Sequence, residues 1–328
     1  MISKDEAQWI TWVCEALARG CQHAEITQSL VDQGHPQAQH LVQMILKNPI
    51  YQWGLSHAQY NHQQWRRLSS FHTLKQTLDQ RGSSELPIVD YPNDQAQVER
   101  LYQANQAFIL KSWTQDWPAF KKPWNAQRFL DEFSTVKVEI TEGRESIKDF
   151  DPKADLLKKI ASFGDFAQRV LSSKDQTNDF YLIARNHAFK NKKLAVLLDE
   201  IDERPFLDPQ RKIEQSALWF GPKGTFTPLH HDTCNIMFVQ MWGEKRIDLL
   251  PPHRLDLFDQ SLNMYAQLDL RKEPQAEQRT AYLQAGDALF IPVGWWHQVE
   301  ALSPSTSLAM THFTFNNHYQ WYQPGKRV

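Results

Sequence analysis

Apolar residues recur at helical spacing along the first part of the chain. Ser3 and Glu6 have the spacing of a capping box, and Trp9, Trp12, Val13, Ala16 and Leu17 then share one helical face before Gly20. A second helical pattern covers about residues 24–33 and stops at Gly34. Pro36 opens a third, with Ala38, Leu41, Val42 and Ile45 as its apolar stripe. Residues 1–65 therefore read as a small all-helical unit. A further amphipathic stretch runs into "GSSELPIVDYPND", whose Gly, Ser and two Pro mark a connection, so residues 66–95 are expected to join this unit to a domain over 96–328.

The period changes in that second part. "AFILKSW" and "VKVEI" read as strands, and helices are expected over about 152–172 and 187–202. From Ala217 onward come short strands separated by turn signals: "ALWFG", "TPLHHD", "IMFVQMW", "KRIDLL", "ALFIP", "WWHQVEAL" and "SLAMTHFTF". The economical architecture is mainly β with helical additions, an all-β barrel or double-sheet jelly roll preceded by the helical unit.

Composition narrows the function classes. The 36 basic and 38 acidic residues nearly cancel, with no long basic run to serve as a nucleic-acid footprint. No segment approaches the roughly 18 apolar residues of a membrane span, and the N-terminus lacks an uninterrupted apolar stretch, so a cytoplasmic protein is expected. Cys14, Cys21 and Cys234 are odd in number, without zinc-finger or CxxC spacing, and read as free thiols.

"TPLHHD" carries the chemistry. Side chains alternate along a strand, so His230 and Asp232 project to one side and His231 to the other. In a jelly roll, strands distant in sequence can face each other across the interior, which would bring His297, 65 residues beyond Asp232, to the same point. Two imidazoles and a carboxylate on one face of a metal leave its other positions open, as in non-haem Fe(II) oxygenases. "WGEK" reads as a two-residue hairpin turn led by Gly243, after which Lys245 would place an ammonium in the barrel, costly without an anion beside it. Trp219, Trp295 and Trp296 either frame a substrate side chain or belong to the core.

"LWFGPKGTFTPLHHD", "VQMWGEKRIDLLPP" and "GDALFIPVGWWH" resemble the three signature blocks of the JmjC, or cupin-like, Fe(II)/2-oxoglutarate oxygenases, and "NQAFILKSWTQDWPAF" resembles that family's entry segment. The similarity covers about residues 100–318 and is nearest the small hydroxylase branch, which includes asparaginyl and arginyl hydroxylases. It implies a double-stranded β-helix, with His230, Asp232 and His297 as iron ligands and O2 and 2-oxoglutarate as cosubstrates. It also implies that Lys245, Thr227 and Tyr181 hold the 2-oxoglutarate, with Asn235 as a further cosubstrate contact, and that the substrate is a protein or peptide; a homodimer, if one forms, would use the helical unit. Two positions depart from the pattern. Ile236 stands where many relatives have Asn, with Asn235 one place earlier, and His312 stands where Asn is common. A cupin with another metal and non-redox chemistry, or a silent binding module whose helical unit mediates association, remains open on the residues alone.

Overall fold

The structure is a computed structural model that describes residues 4–314 except 80–84, 92, 203, 205, 259–261 and 263. Contacts divide the chain into two units, Met1–Thr77 and Leu78–Val328.

In the first unit, α1 (Lys4–Ala18), α2 (His23–Asp32) and α3 (Ala38–Lys47) enclose Val13, Leu17, Ile26, Leu30, Leu41, Val42 and Ile45. Gly34 ends α2 as expected: at φ +79 it turns the chain through the left-handed region, with its N–H on the Val31 carbonyl. The proposed capping Ser3 lies outside the described residues. Helix α4 (Pro49–Asp79) starts at proline and passes through position 65 without a break, since residues 55–79 hold no proline or glycine to stop it.

The second unit is built on two sheets. One has the order β1-β2-β11-β8-β13-β6, comprising β1 (Ile88–Val89), β2 (Phe108–Leu110), β6 (Ser216–Gly221), β8 (Ile236–Trp242), β11 (Ala288–Ile291) and β13 (Ser305–Met310). The other has the order β10-β9-β12-β7, comprising β7 (Phe226–His231), β9 (Lys245–Leu250), β10 (Arg279–Leu283) and β12 (Trp296–Ala301). Phe238 and Leu289 of the first sheet meet Ile247, Leu249 and Val299 of the second in the core between them. The outer face of the larger sheet is covered by α7 (Ala126–Phe133) and α8 (Phe163–Ser172), whose Phe129, Phe163 and Phe166 pack around Phe220. This is the jelly roll that the strand pattern predicts. Helices α5 (Gln95–Gln103), α6 (Pro118–Lys121) and α9 (Lys192–Ala195) complete the helical additions. Among the described residues no helix is long and apolar enough to cross a membrane, and all three cysteines are free thiols.

Three expectations are corrected. Residues 158–162 are not helical: they form β4 (Lys158–Ser162), which pairs with β3 (Lys137–Glu142) in a small sheet completed by β5 (Phe180–Tyr181). The helix waits for Ser162, whose hydroxyl accepts from the Asp165 N–H and caps α8. Residues 187–202 hold only 3-10 turns and the single turn α9, because His187 sits at φ 51 and Asn191 starts a new cap. Finally, Gly243 and Glu244 do not close a hairpin. They carry the chain from β8 in one sheet to β9 in the other, and Gly243, at φ +75, leaves no room for a methyl group against the Pro304 carbonyl.

Candidate functional site

Two neighbouring strands build the centre. β7 and β12 are antiparallel partners, and His230 is registered directly against His297, with ring centroids 4.1 Å apart. The two histidines thus meet side by side in one sheet, not across the interior as the jelly-roll reading suggested. The pairing slips between them and the next rung: β7 uses residues 227 to 230 where β12 uses 297 to 299. Pro228 lies inside that bulge, where a missing N–H breaks no ladder bond. The slip also reverses the alternation, so Thr227 faces the same cavity as His230 despite its odd spacing. Asp232 follows the strand end, its carbonyl held by the Gly294 N–H at 3.0 Å.

His230, Asp232 and His297 offer ligand atoms that all lie within 4.8 Å of one another. Asp232 Oδ2 is 3.4 Å from His297 Nε2 and 3.8 Å from His230 Nε2. His230 Nδ1 donates to the Pro228 carbonyl at 2.8 Å and His297 Nδ1 to the Trp295 carbonyl at 3.0 Å. A carbonyl can only accept, so each Nδ1 carries the proton and each Nε2 turns a lone pair toward the carboxylate. Burial, reinforced by His297, pushes the His230 imidazolium down to about 4, leaving a neutral ligand at neutral pH. Asp232 is held at about 2 and so ionised at neutral pH: burial raises its carboxyl, but a hydrogen bond with His297 and the charge of the neighbouring imidazoles when they are protonated outweigh it. Three electron-pair donors converging on one point with open space beyond suit a divalent cation with free positions. His231 points away, its ring edge against Trp296 at 4.8 Å and near Phe258 at 5.4 Å.

Behind the triad lies an inner chamber of about 40 Å³, whose walls include Thr227, Ile236, Phe238, Val299 and Ala309. Lys245 enters it 1% exposed, from the start of β9. Its Nζ donates to Tyr181 Oη at 2.8 Å and lies 5.3 Å from the Phe238 ring centroid, and among the described residues no carboxylate pairs with it. Burial pushes this ammonium down to about 7. A cation kept from water, with aromatic rings and one phenol around it, leaves its charge to be met by an incoming anion.

Asn235 is not brought into this chamber. Its side-chain N–H donates to Tyr102 Oη at 2.9 Å and its Oδ1 accepts from the Val293 N–H at 2.7 Å, a brace between loops. The neighbouring Ile236 lines the cavity instead. His312 is buried and lines neither chamber, its carbonyl accepting from the Asp208 N–H. Trp295 and Trp296 are core, whereas Trp219 lines the cavity. Outside the triad an outer cleft of about 360 Å³ shares Trp219, Thr227, His230, Asp232, Ile236 and Ala309 with the inner chamber. Tyr265, stacked on His230 at 5.4 Å, also lines it. Its turn-rich segment carries no periodic signal, so sequence reasoning passed over it.

Comparison with known proteins fits this geometry. A family model described as a cupin-like domain matches residues 94–320. The chain belongs to the cupin-like family. Within this JmjC-type family it is 28% identical over 256 residues to Jumonji C domain-containing protein 5 of Drosophila melanogaster, covering 72% of this chain and 62% of that protein. Lysine-specific demethylase JMJ30 of Arabidopsis thaliana is 30% identical over 210 residues, 59% of this chain and 46% of its own length. HSPB1-associated protein 1 of Homo sapiens is 33% identical over 126 residues, 34% of this chain and 26% of the relative. The cupin-like chain therefore spans less than two thirds of the length of each of these relatives.

Proposed function

We propose that this cupin-like protein is an Fe(II)- and 2-oxoglutarate-dependent oxygenase that hydroxylates a protein side chain. The buried Lys245 ammonium carries the reading: a metal-binding barrel of another kind has no use for an unpaired cation beside its ligands, whereas a dicarboxylate cosubstrate does. His230, Asp232 and His297 would hold the iron, and Lys245, Tyr181 and Thr227 would receive the distal carboxylate of 2-oxoglutarate. When bound, the iron supplies the O2 chemistry, with one oxygen atom entering the substrate C–H bond as hydroxyl and the other entering succinate as CO2 leaves. Ile236, Phe238 and Val299 keep water from the reacting atoms. The relatives named as demethylases make protein the favoured substrate class.

Anaerobic titration with Fe(II) and then 2-oxoglutarate tests the proposal. A visible charge-transfer band on the second addition, and succinate release once O2 is admitted, are expected. Metal binding with neither response would replace the reading with that of a non-redox or silent metal-binding cupin.

A further inference from the structure

Helix α4 closes the helical unit with one face and leaves the opposite face uncovered. Its Tyr51 and Leu55 pack against the core of α1, α2 and α3, and the Gln59 side chain donates to the Leu17 carbonyl at 3.0 Å. At about 3.6 residues per turn these positions share one side of the helix. Trp53, Tyr60, Trp65 and Phe71 are more than half exposed, as are Ile50 and Leu74, and Leu68 is half exposed. All of them fall on the other half of the circumference. Between Tyr60 and Leu74 every described side chain except that of His72 is exposed, so among the described residues nothing covers this stripe. Ser69, Ser70, Thr73 and Thr77 are weak helix formers, and a helix of that composition draws its stability from packing rather than from propensity.

Area and spacing both name the occupant. Four aromatic side chains of roughly 150–250 Å² each, more than half exposed, and three aliphatic ones present on the order of 800 Å² of apolar surface, which is what each partner contributes to a standard stable interface. The stripe is also symmetric about position 62. Ile50 and Leu74 stand twelve residues to either side of it, and Trp53 and Phe71 stand nine. A two-fold interface joins the same patch on both chains, so that residue i meets j and j meets i. An antiparallel copy crossing at position 62 therefore sets Trp53 on Phe71 of the second copy, and Ile50 on Leu74, at both ends of the contact. Arg66 and Arg67 come to lie roughly 12–15 Å along the axis from their own copies, beyond the Debye length at physiological salt.

We propose that two copies of this chain associate through α4, antiparallel about position 62, with Trp53 of each packed on Phe71 of the other. The association does not depend on the chemistry assigned to the metal centre.

Sedimentation velocity on the full chain over a range of micromolar concentrations reads the mass, and a dimer is expected. Trp53→Glu combined with Phe71→Glu should raise its dissociation constant about 100-fold or more, because each substitution acts twice in a two-fold interface. Both side chains are exposed in the single chain, so the variant should keep its helical circular dichroism. A short bis-maleimide linker reads the register. A mixture of Trp53→Cys and Phe71→Cys chains should give a cross-linked dimer that neither variant gives alone, above the wild-type background from exposed Cys21, since Phe71 and its own copy stand roughly 27 Å apart. A monomer at every concentration, or a dimer that the glutamates leave unchanged, would overturn the proposal. Linkage of Phe71→Cys chains to one another would also overturn it, because it requires parallel helices. A monomer whose melting temperature falls with the glutamates would assign the stripe to a contact within its own chain, with the same consequence. If the glutamate variant does not fold, the cysteine pairing decides.

Discussion

The Lys245 ammonium donates to the Tyr181 hydroxyl at 2.8 Å, across 64 positions of sequence and between two different sheets. Burial raises the Tyr181 phenol above its usual range, so it stays protonated. Its oxygen accepts from Lys245, and Thr225 is a further hydrogen-bonding neighbour of the hydroxyl. In the proposed reading the pair would form a carboxylate receptor in which each member orients the other.

Lys245→Ala should therefore weaken 2-oxoglutarate binding selectively. Removing one partner of a buried charge pair costs about 2–5 kcal/mol, roughly 30- to several-thousand-fold in affinity. Iron affinity should change little, because His230, Asp232 and His297 are untouched. Parallel titrations with Fe(II) and 2-oxoglutarate check the split, and an unchanged cosubstrate affinity would remove Lys245 from the receptor.

The same lysine should cost stability in the empty protein. Its folded value of about 7 lies below the ordinary lysine value, so between about pH 7 and 10.4 the unfolded chain binds a proton that the folded chain has released. Stability should rise with pH across that window, with the penalty present in full below it. Lys245→Met keeps the packing and removes the charge, so it should flatten this slope. It should also stabilise the apo protein at pH 6 by on the order of 3 kcal/mol. Denaturant melts of wild type and variant from pH 6 to 10 measure both.

If Lys245 receives the dicarboxylate as proposed, binding requires the charged lysine and raises its proton affinity. At pH 8 most Lys245 is neutral in the free protein, so binding of 2-oxoglutarate should take up close to one proton, and affinity should fall as pH rises above about 7. Calorimetry in two buffers of different ionisation enthalpy reads this uptake directly. A buffer-independent enthalpy at pH 8 would mean that the anion is met by something other than this ammonium.

The legible parts of this site were those whose signal is local. His230 and Asp232 sit on a clear alternation next to an apolar strand, and His297 follows a Gly-Asp turn and an apolar run, so both ligand strands stand out by pattern. The parity of Thr227 depends on a bulge that no local pattern shows, and β4 is a strand because β3 offers it an edge, a tertiary cause. Strand β10 escaped notice because only Ala281 and Leu283 of its five residues are buried. Asn235 shows the limit of resemblance: one place of displacement turned its amide from the chamber to Tyr102 and Val293.

Asn235→Ala should for that reason act on stability rather than on the cosubstrate. It leaves the Val293 N–H without its acceptor and Tyr102 without its donor, a loss of about 1–3 kcal/mol. The melting temperature should drop, and 2-oxoglutarate affinity of the folded fraction should stay within about twofold. A large affinity loss with no change in melting would return Asn235 to the binding site.

The extent of the catalytic unit can be tested by where it tolerates being cut. No candidate ligand lies before residue 95, so a fragment lacking the helical unit should bind iron. The position of the cut still matters, because β1 pairs in parallel with β2, Val89 is 2% exposed and the Ile109 N–H donates to the Pro87 carbonyl. A fragment starting at Glu85 keeps these contacts. One starting at Gln95 loses them and exposes the outer edge of β2, at a cost of about 1.5–3 kcal/mol for Val89 alone. Both fragments should bind Fe(II) through His230, Asp232 and His297, with the shorter one melting lower and aggregating more readily through its uncovered strand. Equal stability of the two would assign β1 to the linker, and loss of iron binding from the longer fragment would show that the metal centre depends on the helical unit.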